Sequence, residues 1–406
     1  MVQSKNKTSI GVINVKRFLF EVTFFLLVFR SIFRYFNKDW ELNREGLRVI
    51  TMSGDMMMTI MTVACILLLI LVIRENRYSR TLTTYCAFAL LGIGLIWSVI
   101  SFPQYGRTLF YENGTPIYLM EFGVFFLLGE KDEYWLIVEK WLLRLAVLYL
   151  VLSIYYTVDI MVRFPLYRMA GGPMMQYLYF ALFLFAFEIG QPKGGKKRQV
   201  LIMVSLAVCV VLGVLTTSRS WMIQALFLMA CYYFSFSELS SKQKMLRIAV
   251  GVVALLIVYN VLIRFFGDST AFVLKRFEED TRTSQYEQFF NQVDLKSTIL
   301  GGGMNARYNF NGQSYAYFDN QFLYWAFRFG IVAIVPYVLP FIYVMFSWLK
   351  KSRRHRVKGA FVPLLMWFAA MGGLSIYFNL TLDIANMVVL MAVGHYSKLA
   401  TVRVSE

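Results

Sequence analysis

The sequence predicts an all-α fold, a polytopic membrane bundle of about twelve transmembrane helices with one large extracytoplasmic loop. Three observations predict it. Hydrophobic residues make up 58% of the 406 and charged residues 16%, with a mean hydropathy of +0.56. Soluble domains run at about 45–50% apolar and about 25% charged. The runs 56–73, 200–218, 220–237, 329–349 and 359–382 each lack any Asp, Glu, Lys or Arg. Basic residues gather in the short connections between such runs. A bilayer core takes about 20 apolar residues as helix, and lipid supplies no water to satisfy an open backbone.

In order, the predicted spans are 18–34, 55–73, 82–102, 116–129, 138–160 and 174–189. The second half adds 200–217, 220–236, 248–266, 320–348, 359–378 and 383–400. The first carries Glu21 and Arg30; the fourth is short and holds Glu121. Orientation decides the fourth. The most basic connections are Arg74–Arg80, Lys193–Arg198, Lys242–Arg247 and Lys350–Lys358. The positive-inside tendency puts all of them in the cytoplasm, so an even number of crossings separates each from the next. Only with 116–129 counted does that hold. Both termini are then cytoplasmic, and 35–54, 103–115, 161–173 and 267–319 face outward. The whole chain, 1–406, reads as a single integral membrane domain with 267–319 inserted between spans.

The long outer loop mixes charge, aromatic residues and glycine, a composition that argues for order. Ala271–Glu279 and Gln285–Val293 read as short helices within it. The net charge of +17, from 41 Lys+Arg against 24 Asp+Glu, sits in short loops and is an orientation signal, not a nucleic-acid surface. The four cysteines, Cys65, Cys86, Cys209 and Cys231, all fall in apolar runs without ligand spacing. No phosphate-binding Gly-x4-Gly-Lys-Ser/Thr sequence and no metal-ligand cluster is present, so neither metal nor cofactor is expected. His355 and His395 fall in a cytoplasmic connection and in the last span. The N-terminus lacks a cleavage site of the secretory kind.

Arg219 is the most informative residue. Thr216-Thr217-Ser218-Arg219-Ser220 joins two apolar runs with no room for a loop, on the outer side where arginine is disfavoured. A guanidinium there either snorkels to the headgroups or, with the neighbouring hydroxyls, presents itself to an anion such as phosphate. Arg282 and Arg307 flank Gly301-Gly302-Gly303, where backbone approaches a ligand closely or hinges. Asp319-Asn320 sits where the loop re-enters the bilayer, suited to a helix cap and to polar chemistry. Arg328, a few residues on, needs a partner or a wet cavity.

Three elements, in this order, resemble the O-antigen polymerase and ligase superfamily. They are Leu215-Thr-Thr-Ser-Arg219-Ser-Trp221; then Arg282-Thr-Ser-Gln-Tyr286 followed by Ile299-Leu-Gly301-Gly-Gly303; then Asp319-Asn320-Gln-Phe322-Leu323 with Gly330. Together they span about 200–345. Ligases carry histidine at the position corresponding to Asp319, and an aspartate there is more similar to the polysaccharide polymerases. The resemblance implies a membrane glycosyltransferase of the bacterial cytoplasmic membrane. Its reaction would join undecaprenyl-pyrophosphate-linked repeat units into surface polysaccharide, such as O-antigen, capsule or exopolysaccharide. Asp319 is the implied base, Arg219 and Arg282 the pyrophosphate ligands. Arg307, Asn320, Ser218, Ser220, Gly301 and Gly303 are the implied substrate contacts. Implied partners are the lipid-linked oligosaccharide, membrane lipids, and a flippase and chain-length regulator. Ligase-like transfer and a lipid-linked oligosaccharide flippase are the alternatives.

Overall fold

The computed structural model describes residues 6–36, 40–43, 46–49, 55–74, 78, 80–163, 173–189, 195–216, 218–235, 282–316, 318, 320–374 and 381–402. The predicted span 248–266 and the predicted helix Ala271–Glu279 lie outside them. The described residues are overwhelmingly helical, as the hydropathy requires. In chain order the helices of the first half are α1 (Asn6–Phe36), α2 (Asp55–Arg74), α3 (Leu82–Tyr105), α4 (Ile117–Gly129), α5 (Asp132–Arg163), α6 (Pro173–Ile189), α7 (Lys196–Leu215) and α8 (Arg219–Ser235). The second half contains α9 (Arg282–Phe290), α10 (Leu295–Leu300), α11 (Gln321–Phe329), α12 (Ile331–Ser347), α13 (Lys351–Ala369) and α14 (Ile384–Thr401). Two small hairpins add strands that the all-α reading omits: β1 (Trp40–Asn43) with β2 (Gly46–Val49), and β3 (Tyr308–Phe310) with β4 (Gln313–Tyr315). Both fall in segments predicted as outer loops.

Among the described residues four stretches, Met56–Arg74, Leu82–Phe110, Asp132–Arg163 and Lys197–Leu215, are long and apolar enough to cross a membrane. Ile117–Gly129, Gln176–Ile189, Ser220–Tyr233 and Ile331–Ser347 are shorter apolar helices. Two sequence expectations need correction. The span 320–348 is not one helix: it breaks at Gly330, whose φ of +78° ends α11 and starts α12. The basic connection 350–358 is not a loop either, because α13 begins at Lys351.

The chain forms two compact units. The first takes residues 1–41, 49–141 and 285–406. At its centre lies α4, with every residue from Ile117 to Gly129 buried except Met120. Small residues let neighbours approach its backbone. A Cβ on Gly123 would stand 2.5 Å from the Ala87 carbonyl of α3, and one on Gly94 2.8 Å from the Met120 amide. Gly129 and Gly394 meet the Met391 and Phe126 carbonyls across the α4–α14 contact. Such close backbone packing is how helices associate where lipid gives no hydrophobic drive. Caps pin the ends. Thr81 accepts from the Thr84 amide at the start of α3, and both hydroxyls donate to buried Glu130 at 2.8 and 2.6 Å.

The second unit takes residues 42–48 and 142–284. In it α7 and α8 form a tight helical hairpin. Thr216 and Ser218 turn the chain, Ser218 donating its amide to the Gly213 carbonyl at 2.8 Å. A Cβ on Gly213 would sit 2.9 Å from the Met222 amide, so glycine there lets α8 lie against α7. Trp221 is buried with its ring 5.6 Å from that of Tyr179 on α6.

Candidate functional site

Two regions carry the residues singled out in the sequence, one in each unit. In the second unit, the α7–α8 turn is as short as the sequence demands. Arg219 is the first residue of α8, and Arg282 the first residue of α9. Neither helix has an acidic residue in its first turn. A helix start leaves amide donors free and carries partial positive charge, so an arginine in that place adds to an anion-attracting field. The side chains of Arg219 and Arg282 lie outside the described residues. Ser218 is buried, and its carbonyl accepts from the Met222 amide at 3.2 Å; Ser220 is half-buried.

In the first unit, the end of the segment predicted as the long outer loop is a small folded platform. Tyr308, Phe289, Phe318 and Phe327 form an aromatic cluster, with Tyr308 stacked on Phe318 at 4.7 Å and Phe289 edge-on to Phe318 at 4.6 Å. A row of glutamines on and just past α9 clamps the β3–β4 hairpin. Gln285 donates to the Tyr308 hydroxyl at 2.7 Å. Gln288 and Asn311 exchange two bonds of 2.9 Å, and Gln292 and the Asn309 backbone two of 2.8 Å. Primary amides suit this work because each supplies both donor and acceptor to a peptide group. Gln285–Val293, predicted as a short helix, corresponds to the end of α9 and the turn after it. Sequence reasoning does not foresee the hairpin. Its signal is Asn311-Gly312 between Tyr308-Asn-Phe310 and Gln313-Ser-Tyr315, a hairpin turn sequence.

Gly301-Gly302-Gly303 packs on the end of α11. The Gly302 and Gly303 amides donate to the Phe327 and Arg328 carbonyls at 2.9 and 2.8 Å, satisfying a helix end. Gly301, at φ +87°, faces the Arg328 carbonyl, 2.5 Å from where a Cβ would stand. The Gly301 amide donates to the Ser297 carbonyl at 2.8 Å, so all three amides are spent within the fold. Arg307 is exposed and makes no hydrogen bond or ion pair among the described residues. Asn320 caps α11, its Oδ1 accepting from the Phe322 and Leu323 amides at 3.0 and 3.2 Å. Asp319 lies outside the described residues. Arg328 has its partners: its Nη1 donates to the Gly114 carbonyl at 3.2 Å and its guanidinium covers the Tyr324 ring at 4.6 Å.

Beneath α10 runs a partly open groove of about 710 Å³. Ile93, Ile96, Trp97 and Ile100 of α3 form one wall, Leu300, Gly301 and Val332 the other, and Asp294, Lys296 and Ser297 the polar rim. Its apolar walls suit a hydrocarbon chain. Gly301, chosen from sequence, lines it; the α3 wall has no sequence signal beyond hydropathy.

The remaining membrane-edge charges are mostly placed by structure. Arg30 is buried and donates to Thr62 at 2.9 Å, to the Leu382 carbonyl, and to Tyr118 at 3.5 Å. Asp159 pairs with Arg163, Glu21 with Arg17, and Asp383 caps α14 through the Asn386 amide. His395 stacks on Trp135 at 5.3 Å with Asp132 3.3 Å from its Nδ1, a packed residue as expected. Among the described residues no group of His, Cys, Asp and Glu could hold a metal ion.

Residues 201–338 match the family model described as O-antigen ligase. That segment is about a third of the chain. It runs from α7 into α12 and contains every residue chosen for the site, from Ser218 to Asn320. The resemblance read from the order of three short motifs is thereby borne out over that segment, and the apolar helices fit a multi-pass membrane protein. No curated protein and no solved structure matches the chain.

Proposed function

We propose that the chain polymerises undecaprenyl-pyrophosphate-linked oligosaccharide repeat units into surface polysaccharide on the outer face of the bacterial cytoplasmic membrane. The observation that carries this reading is the placement of Arg219 and Arg282, each opening a helix without a first-turn acid, inside the O-antigen ligase region. Pyrophosphate is already a good leaving group. The catalyst must stabilise the charge it gains and take a proton from the attacking sugar hydroxyl. Guanidinium groups reinforced by helix starts suit the first task, since charge aimed at the developing anion is usually the largest catalytic contribution. Asp319 is the base, a role worth about 10²–10⁴-fold. Arg307 binds the anion more peripherally, and Ser218, Ser220 and Asn320 supply polar contacts. The groove under α10 suits the polyprenyl tail. The arginines supply the positive charge, so the reaction needs no metal. A flippase and a chain-length regulator would act beside it, and both termini would lie in the cytoplasm.

Ligase-like transfer to another acceptor shares this chemistry. Aspartate at 319, where the ligases carry histidine, favours the polymerase. The test uses purified protein with a lipid-linked repeat unit, following chain growth on gels. Arg219→Ala and Asp319→Ala should each abolish long chains while leaving the protein folded. Near-normal growth in both removes the site assignment. In a deletion strain, loss of long chains with single capped units retained supports polymerisation. Loss of all surface transfer supports a ligase, and repeat units trapped inside support a flippase.

A further inference from the structure

Beyond the transfer reaction, we infer that the start of α13 is a binding surface for anionic phospholipid headgroups. Lys350, Lys351, Arg353, Arg354, Arg356 and Lys358 follow one another within nine residues, and the sequence has no Asp or Glu between Asp319 and Asp383. None of these six forms an ion pair among the described residues; Lys398 by contrast is matched by Asp132 at 2.7 Å. Arg356 is held by backbone carbonyls, those of Val402 and Ser352. Lys350, Lys351, Arg354 and Lys358 are exposed, and Arg353 is half-buried. The first turn of a helix is also where cations are least welcome, because the dipole presents positive charge there. Arg356 apart, the sequence therefore concentrates cations where neither a carboxylate nor the helix dipole compensates them.

What lies beside the cations identifies the anion. Phe346 and Leu349 are 62% and 65% exposed, so an apolar surface runs directly into the charged one. Between them Trp348 stacks on Phe361 at 4.5 Å and carries the Arg354 guanidinium over its ring at 4.3 Å. Tryptophan with flanking arginine and lysine marks the depth of the headgroups. An anion at that depth, against uncompensated positive charge, is a lipid phosphate.

The experiment places the full chain in nanodiscs containing phosphatidylcholine and phosphatidylglycerol, and measures by native mass spectrometry which lipid is retained. Phosphatidylglycerol should be preferred about tenfold. The preference should fall as salt rises and vanish in K351Q/R353Q/R354Q/K358Q. R353K/R354K, which keeps the charge, should preserve it. The proposal is overturned if the wild type shows no preference, if the neutral variant keeps it, or if millimolar inorganic phosphate displaces the lipid and reveals a free-anion site. Should the fourfold variant not fold, the salt series on the wild type and the R353K/R354K protein decide the matter.

Discussion

Gln285 and Tyr308 join the first helix of the 282–315 platform to its hairpin through one hydrogen bond of 2.7 Å, with Gln285 and Tyr308 both buried. The bond ties α9, which begins at Arg282, to the strand that follows Arg307. The register of the glutamine row, Gln285, Gln288 and Gln292, fixes which face of α9 meets the hairpin.

Loss of this bond should loosen the platform without unfolding the bundle. Gln285→Ala and Tyr308→Phe should each destabilise it by about 0.5–1.5 kcal/mol. The double variant should cost less than the sum, since both remove the same bond. Hydrogen exchange of the 285–315 amides is the readout. Full additivity would show that the two side chains do not act as a pair.

Gly330 should be among the least replaceable residues. It combines φ +78° with close approach of the Ile299 carbonyl, so alanine meets both strain and overlap. Gly312 has φ +80° but nothing within 4 Å of an added Cβ, and isolates strain alone. Gly312→Ala should cost about 1–2 kcal/mol. Gly330→Ala should cost more, lowering both thermal stability and chain growth. Equal melting temperatures for the two variants would refute the packing account.

Much of the bundle was legible because its signal is local: an uncharged run long enough to span lipid has few alternatives to a helix. The turn at Ser218-Arg219 was legible for the same reason, there being no residues to spare for a loop. The break at Gly330 and the helical start at Lys351 were not. Each depends on something beyond its own segment, the Ile299 and Leu300 backbone against Gly330 in one case and the stacking of Trp348 on Phe361 and Arg354 in the other. Gly301–Gly303 shows the limit for the site. A glycine run announces close approach, and only the fold shows that the approaching groups include the carbonyls of α11.

Arg30 reads in sequence as a charge at a membrane edge, yet it is buried 1% exposed and joins three other segments through Thr62, Tyr118 and the Leu382 carbonyl. Hydrogen bonds to a charged group contribute about 1.5–3 kcal/mol each when the partner would otherwise be stranded. Arg30→Met, which keeps much of the stem, should therefore lower stability by at least about 2 kcal/mol. Arg30→Lys should recover only part, because one ammonium does not match the fork of contacts. Thermal unfolding in detergent reads this out, and a methionine variant as stable as the parent would show the contacts to be idle.

Asp294 gives the platform a pH dependence whose sign is fixed. It caps α10, with its Oδ1 accepting from the Ser297 amide at 3.1 Å. The Ser297 hydroxyl first, and then this amide, hold its carboxyl below the usual carboxylate range. A depressed folded-state pKa means that the cap stabilises above the unfolded value, about 3.9, and is lost as pH falls through the folded one. Exchange protection of the 295–300 amides, corrected for the intrinsic pH dependence of exchange, should stay level above about pH 5 and decline below about pH 4. Asp294→Asn keeps an acceptor oxygen without a titrating proton and should flatten that decline, whereas Asp294→Ala should show weak protection at every pH. Because Asp294 also stands at the rim of the groove, the same variants report whether α10 must stay capped for a lipid tail to be held: if so, Asp294→Ala raises the KM for the lipid-linked substrate and leaves kcat largely intact.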